Sequence, residues 1–350
     1  MANMTRLTVV GAGPGGLGFA VNCIRRGISV LVYTHEDHQR TRKAVERRGH
    51  LRVEGLITDE VKINFTSNPQ EAAGFSEVFV MSIRGDAHAD IWHQFYKVDL
   101  SSHVILFIPG CCAERRIPEN IKFKAIFQTI STPISTLPTE AGIDIVGRKA
   151  CLTVSGTDES YNDAIEALLG TDVNWAVNEL DASTQNPSGV FHPPMMIGNA
   201  HRIILGERFR LYREGLTAEV IAMLLEVDKV RCSIRETLGF SQVDAVTILN
   251  NAYGTNYKDI EHFGAESPVH GTTWAPASLN HRMLTEDIRI HWVLWYEIGQ
   301  LLGIDTAALR LGIQAACDLV GENFFKTGLT LDKLKLGKCS PEAFMERFAA

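Results

Sequence analysis

His192 stands in the stretch NPSGVFHPPMMIGNA and is followed at once by two prolines. Imidazole is the side chain that takes up and releases protons near neutral pH. Proline suits the first turn of a helix, so PPMMIGNAHRI reads as a helix with His192 at its mouth. A helix N-terminus disfavours an imidazolium, and a histidine there needs a carboxylate if it is to cycle as acid and base. Asp287, in LNHRMLTEDIRIHW, is the candidate, placed in the first turn of the helix that follows Thr285. Arg282, in the same segment, offers a planar fork for a substrate carboxylate. Each of the three also has a plain structural reading. His192 would be a hydrogen-bonded histidine in a domain interface, Asp287 would complement a helix dipole as Glu286 does, and Arg282 would be a surface charge. The other histidines show no zinc spacing such as His-Glu-x-x-His, and no metal site is expected.

A second constellation lies near the N-terminus. VVGAGPGGLG holds Gly11-x-Gly13-x-x-Gly16 directly after a strand-like run and before a helix-like one. In that setting Gly11 permits the tight turn, Gly13 lets a pyrophosphate approach the backbone, and Gly16 allows close helix–strand packing. The helix N-terminus then presents free N–H groups to the phosphates. Such a loop suits FAD as well as a nicotinamide dinucleotide. In NAD and FAD sites an acidic residue usually ends the second strand and binds ribose hydroxyls. Here the strand tip is Tyr33 and Thr34, with Glu36 and Asp37 further on. Thr34, His35, Arg40 and Arg42 are instead suited to a 2′-phosphate, which favours NADP(H) and leaves NAD open. The alternative for the arginines is a solvated helix face.

These residues need elements to hold them. RLTVVGAG, ISVLVYT, SEVFVMSI, HVILFIPG and FKAIFQTI read as strands. GGLGFAVNCIRRG, DHQRTRKAVERRG and DAHADIWHQFYKV read as the helices between them. That alternation predicts an α/β fold with a Rossmann-type doubly wound parallel sheet. IDIVGRKACLTVSG would extend the sheet, and DESYNDAIEALLG would be its last helix. From about Asn186 the texture becomes helical. The run from Leu216 to Phe240 has apolar residues at helical spacing and stops at Gly239, and two more long helices follow. The expected division is a dinucleotide-binding domain over 1–184 and a helical substrate and catalytic domain over 185–350.

With 350 residues the chain has room for two such domains. A net charge of -7 gives no nucleic-acid footprint. No apolar run reaches the roughly 20 residues of a membrane span, and the N-terminus is no secretory signal. Seven cysteines at irregular spacing form neither a disulfide framework nor a zinc pattern. The expectation is a reduced, cytoplasmic protein. A homodimer is compatible with the sequence, which leaves the oligomeric state open.

Taken in order, GAGPGG, NPSGVFHPPMM and HRMLTEDI resemble the opine dehydrogenases, the octopine/nopaline dehydrogenase group, over essentially the whole chain. That resemblance implies a catalytic site in the cleft between a Rossmann domain and a helical domain. It implies an acid–base role for His192, an orienting role for Asp287 and a carboxylate-binding role for Arg282. The implied reaction is NAD(P)H-dependent condensation of an amino acid with a 2-oxo acid, through an imine, to a secondary amine dicarboxylate. One rival is a 2-hydroxy acid or ketopantoate-type reductase, which relies on a catalytic lysine; Lys229 and Lys258 lie in no segment of that kind. The others are a flavin-dependent oxidase and a non-enzymatic dinucleotide sensor.

Overall fold

Branched apolar runs need cover on both faces, and those of the first half find it in one eight-stranded sheet. The computed structural model describes residues 5–350. Its strands are β1 (Arg6–Val10), β2 (Ser29–Tyr33), β3 (Leu51–Gly55), β4 (Asp59–Val61), β5 (Asn64–Thr66), β6 (Val78–Met81), β7 (Val104–Phe107), β8 (Ala125–Thr129), β9 (Ile134–Pro138), β10 (Gly142–Arg148), β11 (Cys151–Gly156) and β12 (Asp172–Trp175). The large sheet runs β12-β11-β8-β7-β6-β1-β2-β5. Every neighbouring pair is parallel except β8 and β11. Val9 sits opposite Val32 on one side and Val80 on the other, and β6 and β7 are buried along their whole length.

Among the described residues the α-helices of this unit are α1 (Pro14–Arg25), α2 (Arg40–Arg48), α3 (Pro69–Phe75), α4 (His88–Phe95) and α5 (Asn162–Leu169). Residues of α1 and α5 pack with Val9, Val80 and Leu106 in one apolar cluster. Residues of α3 and α4 pack with Tyr33, Phe79 and Phe107 in another. Both faces of the sheet are therefore covered, as a doubly wound sheet requires.

One expectation needs correction. Only the second part of IDIVGRKACLTVSG extends the large sheet, as β11. The first part, in β10, joins a separate four-stranded sheet ordered β4-β3-β10-β9. Its residues alternate buried and part-exposed, which fits a sheet with one wet face, and a short turn pairs it antiparallel with β9.

The chain divides into two compact units, one ending at Glu179 and the other spanning Leu180–Ala350. Among the described residues of the second unit there is no strand, only an isolated bridge between Arg210 and Trp274. Its helices begin with α6 (Glu179–Ser183), which starts one residue before the division. They continue with α7 (Pro187–Gly198), α8 (Ala200–Ile204), α9 (Leu211–Glu214), α10 (Ala218–Thr237), α11 (Ala245–Tyr253), α12 (Ile260–Glu266) and α13 (Arg282–Asp287). A π-helical turn at Ile288–Trp292 leads directly into α14 (Val293–Leu301), and α15 (Ala307–Val320) follows. No helix among the described residues is long and apolar enough to cross a membrane.

Two arginines of α10, Arg231 and Arg235, are wholly buried. Arg231 pairs with Asp228 at 2.6 Å and donates to the Thr184 carbonyl at 2.9 Å. Arg235 pairs with Asp181 at 2.9 Å and donates to the Thr184 hydroxyl at 2.7 Å. A buried guanidinium needs this many partners to offset its lost hydration. Asp181 and Thr184 belong to the segment that leads into α7, so these bonds tie that segment to α10.

Candidate active site

α7 begins earlier than its prolines suggest. Asn186 caps it, accepting from the Ser188 N–H at 2.9 Å, and Pro187 takes the first helical position. His192 is therefore inside the helix rather than at its mouth, and Pro193 and Pro194 are interior residues. Asn186-Pro187 is the stronger start, because it provides both a cap and a proline that needs no N–H. The interior prolines have a consequence. Pro193 has no N–H to give to the carbonyl of Gly189. That carbonyl instead accepts the indole N–H of Trp292 at 2.6 Å. Gly189 also lies where a Cβ would meet Cβ of His291 and the Trp295 ring at 2.7 Å. The helix of His192 is thus locked closely onto the π-helical turn.

That turn starts one residue after Asp287. Asp287 closes α13 instead of lying in its first turn, because His281 already caps the helix, its Nδ1 accepting from the Met283 N–H at 3.4 Å. A widened π turn is a frequent local feature of functional sites. Here it carries His291 and Trp292 toward α7.

The result is a hydrogen bond of 2.7 Å between His192 Nδ1 and Asp287 Oδ2. Asp287 is buried. Burial pushes its carboxyl up, but the hydrogen bond and charge of His192, with His291 and Arg282 behind them, outweigh burial and hold it below its ordinary value. Its second oxygen, Oδ1, lies 3.8 Å from His291 Nε2. The other nitrogen of His192, Nε2, is 2.9 Å from the hydroxyl of Tyr212. Burial pushes that phenol far above its ordinary value. Neither Tyr212 nor His291 was singled out in the sequence. Tyr212 sits in GERFRLYREG, which carries no motif, and only the packing of α9 against α12 and the loop after it brings it to His192.

Arg282 does not reach the pair. Its side chain is 57% exposed, and Nε bonds to Glu286 Oε2 at 3.2 Å. Glu286 is thereby an ion-pair partner of Arg282.

In the first unit the three motif glycines of the loop, Gly11, Gly13 and Gly16, differ from one another. Gly11 has φ +117, and a Cβ there would run into the carbonyl of Ser82. A Cβ on Gly16 would run into the carbonyl of Gly11. The fold itself demands both. Gly13 has ordinary extended geometry, and a Cβ there would meet nothing within 4 Å. No side chain caps the N-terminus of α1, and its first turn has no acidic residue. Open space above Gly13 and uncapped N–H groups fit a dinucleotide pyrophosphate.

At the tip of β2 the Tyr33 ring turns inward against Phe95, and burial pushes its phenol up to about 12. No carboxylate occupies that position. Thr34 is buried, and its hydroxyl receives the Gln39 amide at 3.0 Å. Gln39 and Arg42 both donate to Ser67 Oγ at 3.0 Å, and Arg42 also pairs with Glu46. His35 turns to Asp37, whose N–H it accepts at 3.1 Å. Arg40 is exposed at the start of α2 and makes no hydrogen bond or ion pair among the described residues. Ser67 follows β5, and only the sheet order that sets β5 beside β2 brings it to this cluster.

Among the described residues no group of His, Cys, Asp or Glu is arranged to hold a metal ion.

Residues 175–320 match the family model for the NAD/NADP octopine/nopaline dehydrogenase alpha-helical domain. Vitopine synthase of Allorhizobium ampelinum is 26% identical, over 97% of both chains. The chain is thus similar to the opine dehydrogenases over nearly its whole length. The opine dehydrogenase of an Arthrobacter species is 24% identical, over 94% of each chain. The fold agrees with that of octopine dehydrogenase solved with NADH and L-arginine, at a TM-score of 0.76 and 17% identity, over 97% of this chain and 98% of the other. As an opine dehydrogenase homologue, this protein is an NAD(P)-dependent oxidoreductase of the class acting on a CH–NH group.

Proposed function

We propose that the protein condenses an amino acid with a 2-oxo acid and reduces the resulting imine, with NADPH as the preferred donor. The observation that carries this reading is the 2.7 Å bond between His192 and Asp287. The two residues lie on helices far apart in sequence, and a plain surface or core role for either does not require their meeting.

A carboxylate can only accept, so the proton of the neutral ring lies on Nδ1 and the lone pair on Nε2. Nε2 takes a proton from the substrate ammonium or the adding amine. Asp287 stabilises the imidazolium that results. The same nitrogen then returns a proton to the carbinolamine hydroxyl, which leaves as water and gives the imine. The bound dinucleotide supplies the hydride that completes the reduction. Both substrates are carboxylates, and Arg282 holds one of them by exchanging Glu286 for it.

Gly11, Gly13 and Gly16 with the start of α1 take the pyrophosphate. Thr34, His35, Arg40 and Arg42 line the 2′-phosphate end. Arg40 supports the preference for NADPH because its charge is not committed elsewhere, and no acid at the β2 tip stands ready for a 2′-hydroxyl. This gives the first unit the dinucleotide and the second the acid–base chemistry.

The test is a screen of NADPH and NADH oxidation over 2-oxo acids, each with and without a pool of amino acids. Oxidation that needs both substrates is expected, with higher kcat/KM for NADPH. Oxidation by a 2-oxo acid alone would make the protein a simple keto-acid reductase.

A further inference from the structure

Asp287 accounts for one nitrogen of His192 and leaves the other, which the proposed chemistry needs, bonded to Tyr212. Tyr212 lies among aromatic rings: edge-on to Phe263 at 5.9 Å between centroids, and tilted against His270 at 4.8 Å and Phe191 at 6.5 Å. Phenylalanine would fill that space equally well. The hydroxyl is the one polar atom the ring brings in, and a buried hydroxyl is costly unless it is bonded. It is aimed at Nε2.

Several contacts of α9 serve that aim. The Leu211 N–H donates to the Thr273 carbonyl at 2.9 Å. Arg210 lies over the Trp274 ring at 3.5 Å and donates to the Thr272 carbonyl. Arg213 donates to the Ala265 carbonyl at 3.1 Å. A helix of four residues is pinned from both sides of Tyr212, which a loosely packed ring would not need.

We propose that Tyr212 is a positioning residue for the acid–base chemistry: its hydroxyl acts through His192, holding the Nε2 lone pair of the Nδ1–H imidazole in line. This rests on the reading of His192 given above. The chain of bonds runs Tyr212 O–H to Nε2 and Nδ1–H to Asp287, so a ring flip would break both. Substrate takes over Nε2 as the Tyr212 hydroxyl yields. Because burial pushes the Tyr212 phenol up, the hydroxyl stays protonated throughout. The imidazolium has no lone pair at Nε2, so this donated bond exists only with the neutral ring. Asp287 and Tyr212 face the ring directly, with His291 and Arg282 around Asp287 and Tyr253 and His270 around Tyr212.

Tyr212→Phe in the full-length protein tests this. We expect kcat to fall roughly tenfold, less than the ~100-fold or more of losing the acid–base group itself. KM for both substrates and NADPH affinity should stay within about threefold, since the hydroxyl acts on proton transfer and not on binding. The acid limb of the kcat/KM profile should move to higher pH. In a His192→Ala background, Tyr212→Phe should cost nothing further, because it acts only through that ring. Replacement of Tyr212 by 3-fluorotyrosine keeps the packing and strengthens the donor, and should move the acid limb to lower pH. Wild-type kcat and pH profile in Tyr212→Phe, or losses that multiply with His192→Ala, would overturn the proposal. If Tyr212→Phe fails to fold, the fluorotyrosine shift decides in its place. The ¹⁵N shift of His192 Nε2 in wild type and Tyr212→Phe reports the hydrogen bond at that nitrogen without turnover. A wild type inactive with every substrate pair would sink the opine reading, while an unchanged Nε2 shift in Tyr212→Phe would sink this one.

Discussion

Between Val10 and Arg25 the chain builds the glycine turn almost wholly from neighbouring residues: a strand end, three glycines and the start of α1. His192, Asp287 and Tyr212 instead meet from α7, α13 and α9, and their spacing depends on contacts elsewhere. Trp292 bonds to a carbonyl left open by Pro193, Gly189 admits the π turn, and Arg235 holds the lead-in to α7. A site of the first kind breaks at its own residues. A site of the second kind also breaks at residues that touch no reactant.

The sharpest test of the local site is Gly13→Val. The protein has room for the side chain, so the melting temperature should hardly change, while dinucleotide binding in a fluorescence titration should be lost. Normal binding would make the loop structural only. For the assembled site the largest effect is expected from His192→Ala, with kcat lowered about 100-fold or more and NADPH affinity within a few-fold. Near-normal turnover would return His192 to a packing role.

Arg282→Lys should raise KM for a carboxylate substrate by about tenfold, because an ammonium lacks the planar fork and a charge-assisted pair contributes about 1.5–3 kcal/mol. Unchanged KM for both substrates would leave Arg282 as the surface partner of Glu286.

Gly189→Ala tests dependence on distant packing. Its methyl must push α7 from His291 and Trp295, so kcat should fall several-fold, with roughly 1–3 kcal/mol of stability lost to overpacking. An unaffected kcat would mean that the His192 site tolerates the shift.

The smallest effect concerns acid stability. Asp287 is held below its ordinary value in the fold, so its contribution is present above the usual carboxylate range and is lost as pH falls through the lowered native value. Asp287→Asn should therefore flatten the decline in urea midpoint below about pH 4. A decline as steep as that of wild type would place the acid sensitivity elsewhere.

Much of this molecule follows from sequence alone. Alternating apolar runs and glycine stops determine the strands and helices of the first half, because burial and chain reversal are local demands. The glycine turn follows for the same reason: two of its glycines are required by atoms a few residues away or on the adjoining strand. The types of His192 and Asp287 were enough to nominate them, though not to place them on their helices, since a cap at Asn186 outweighed the signal of the later prolines. Tertiary structure alone decided the rest. β10 left the large sheet because a partner with one wet face was available in β3 and β9. Ser67 joined Gln39 and Arg42 because β5 lies beside β2. Tyr212 found Nε2 of His192 because a buried hydroxyl must be bonded, and the choice of partner is made by how helices pack, which no spacing along the chain records.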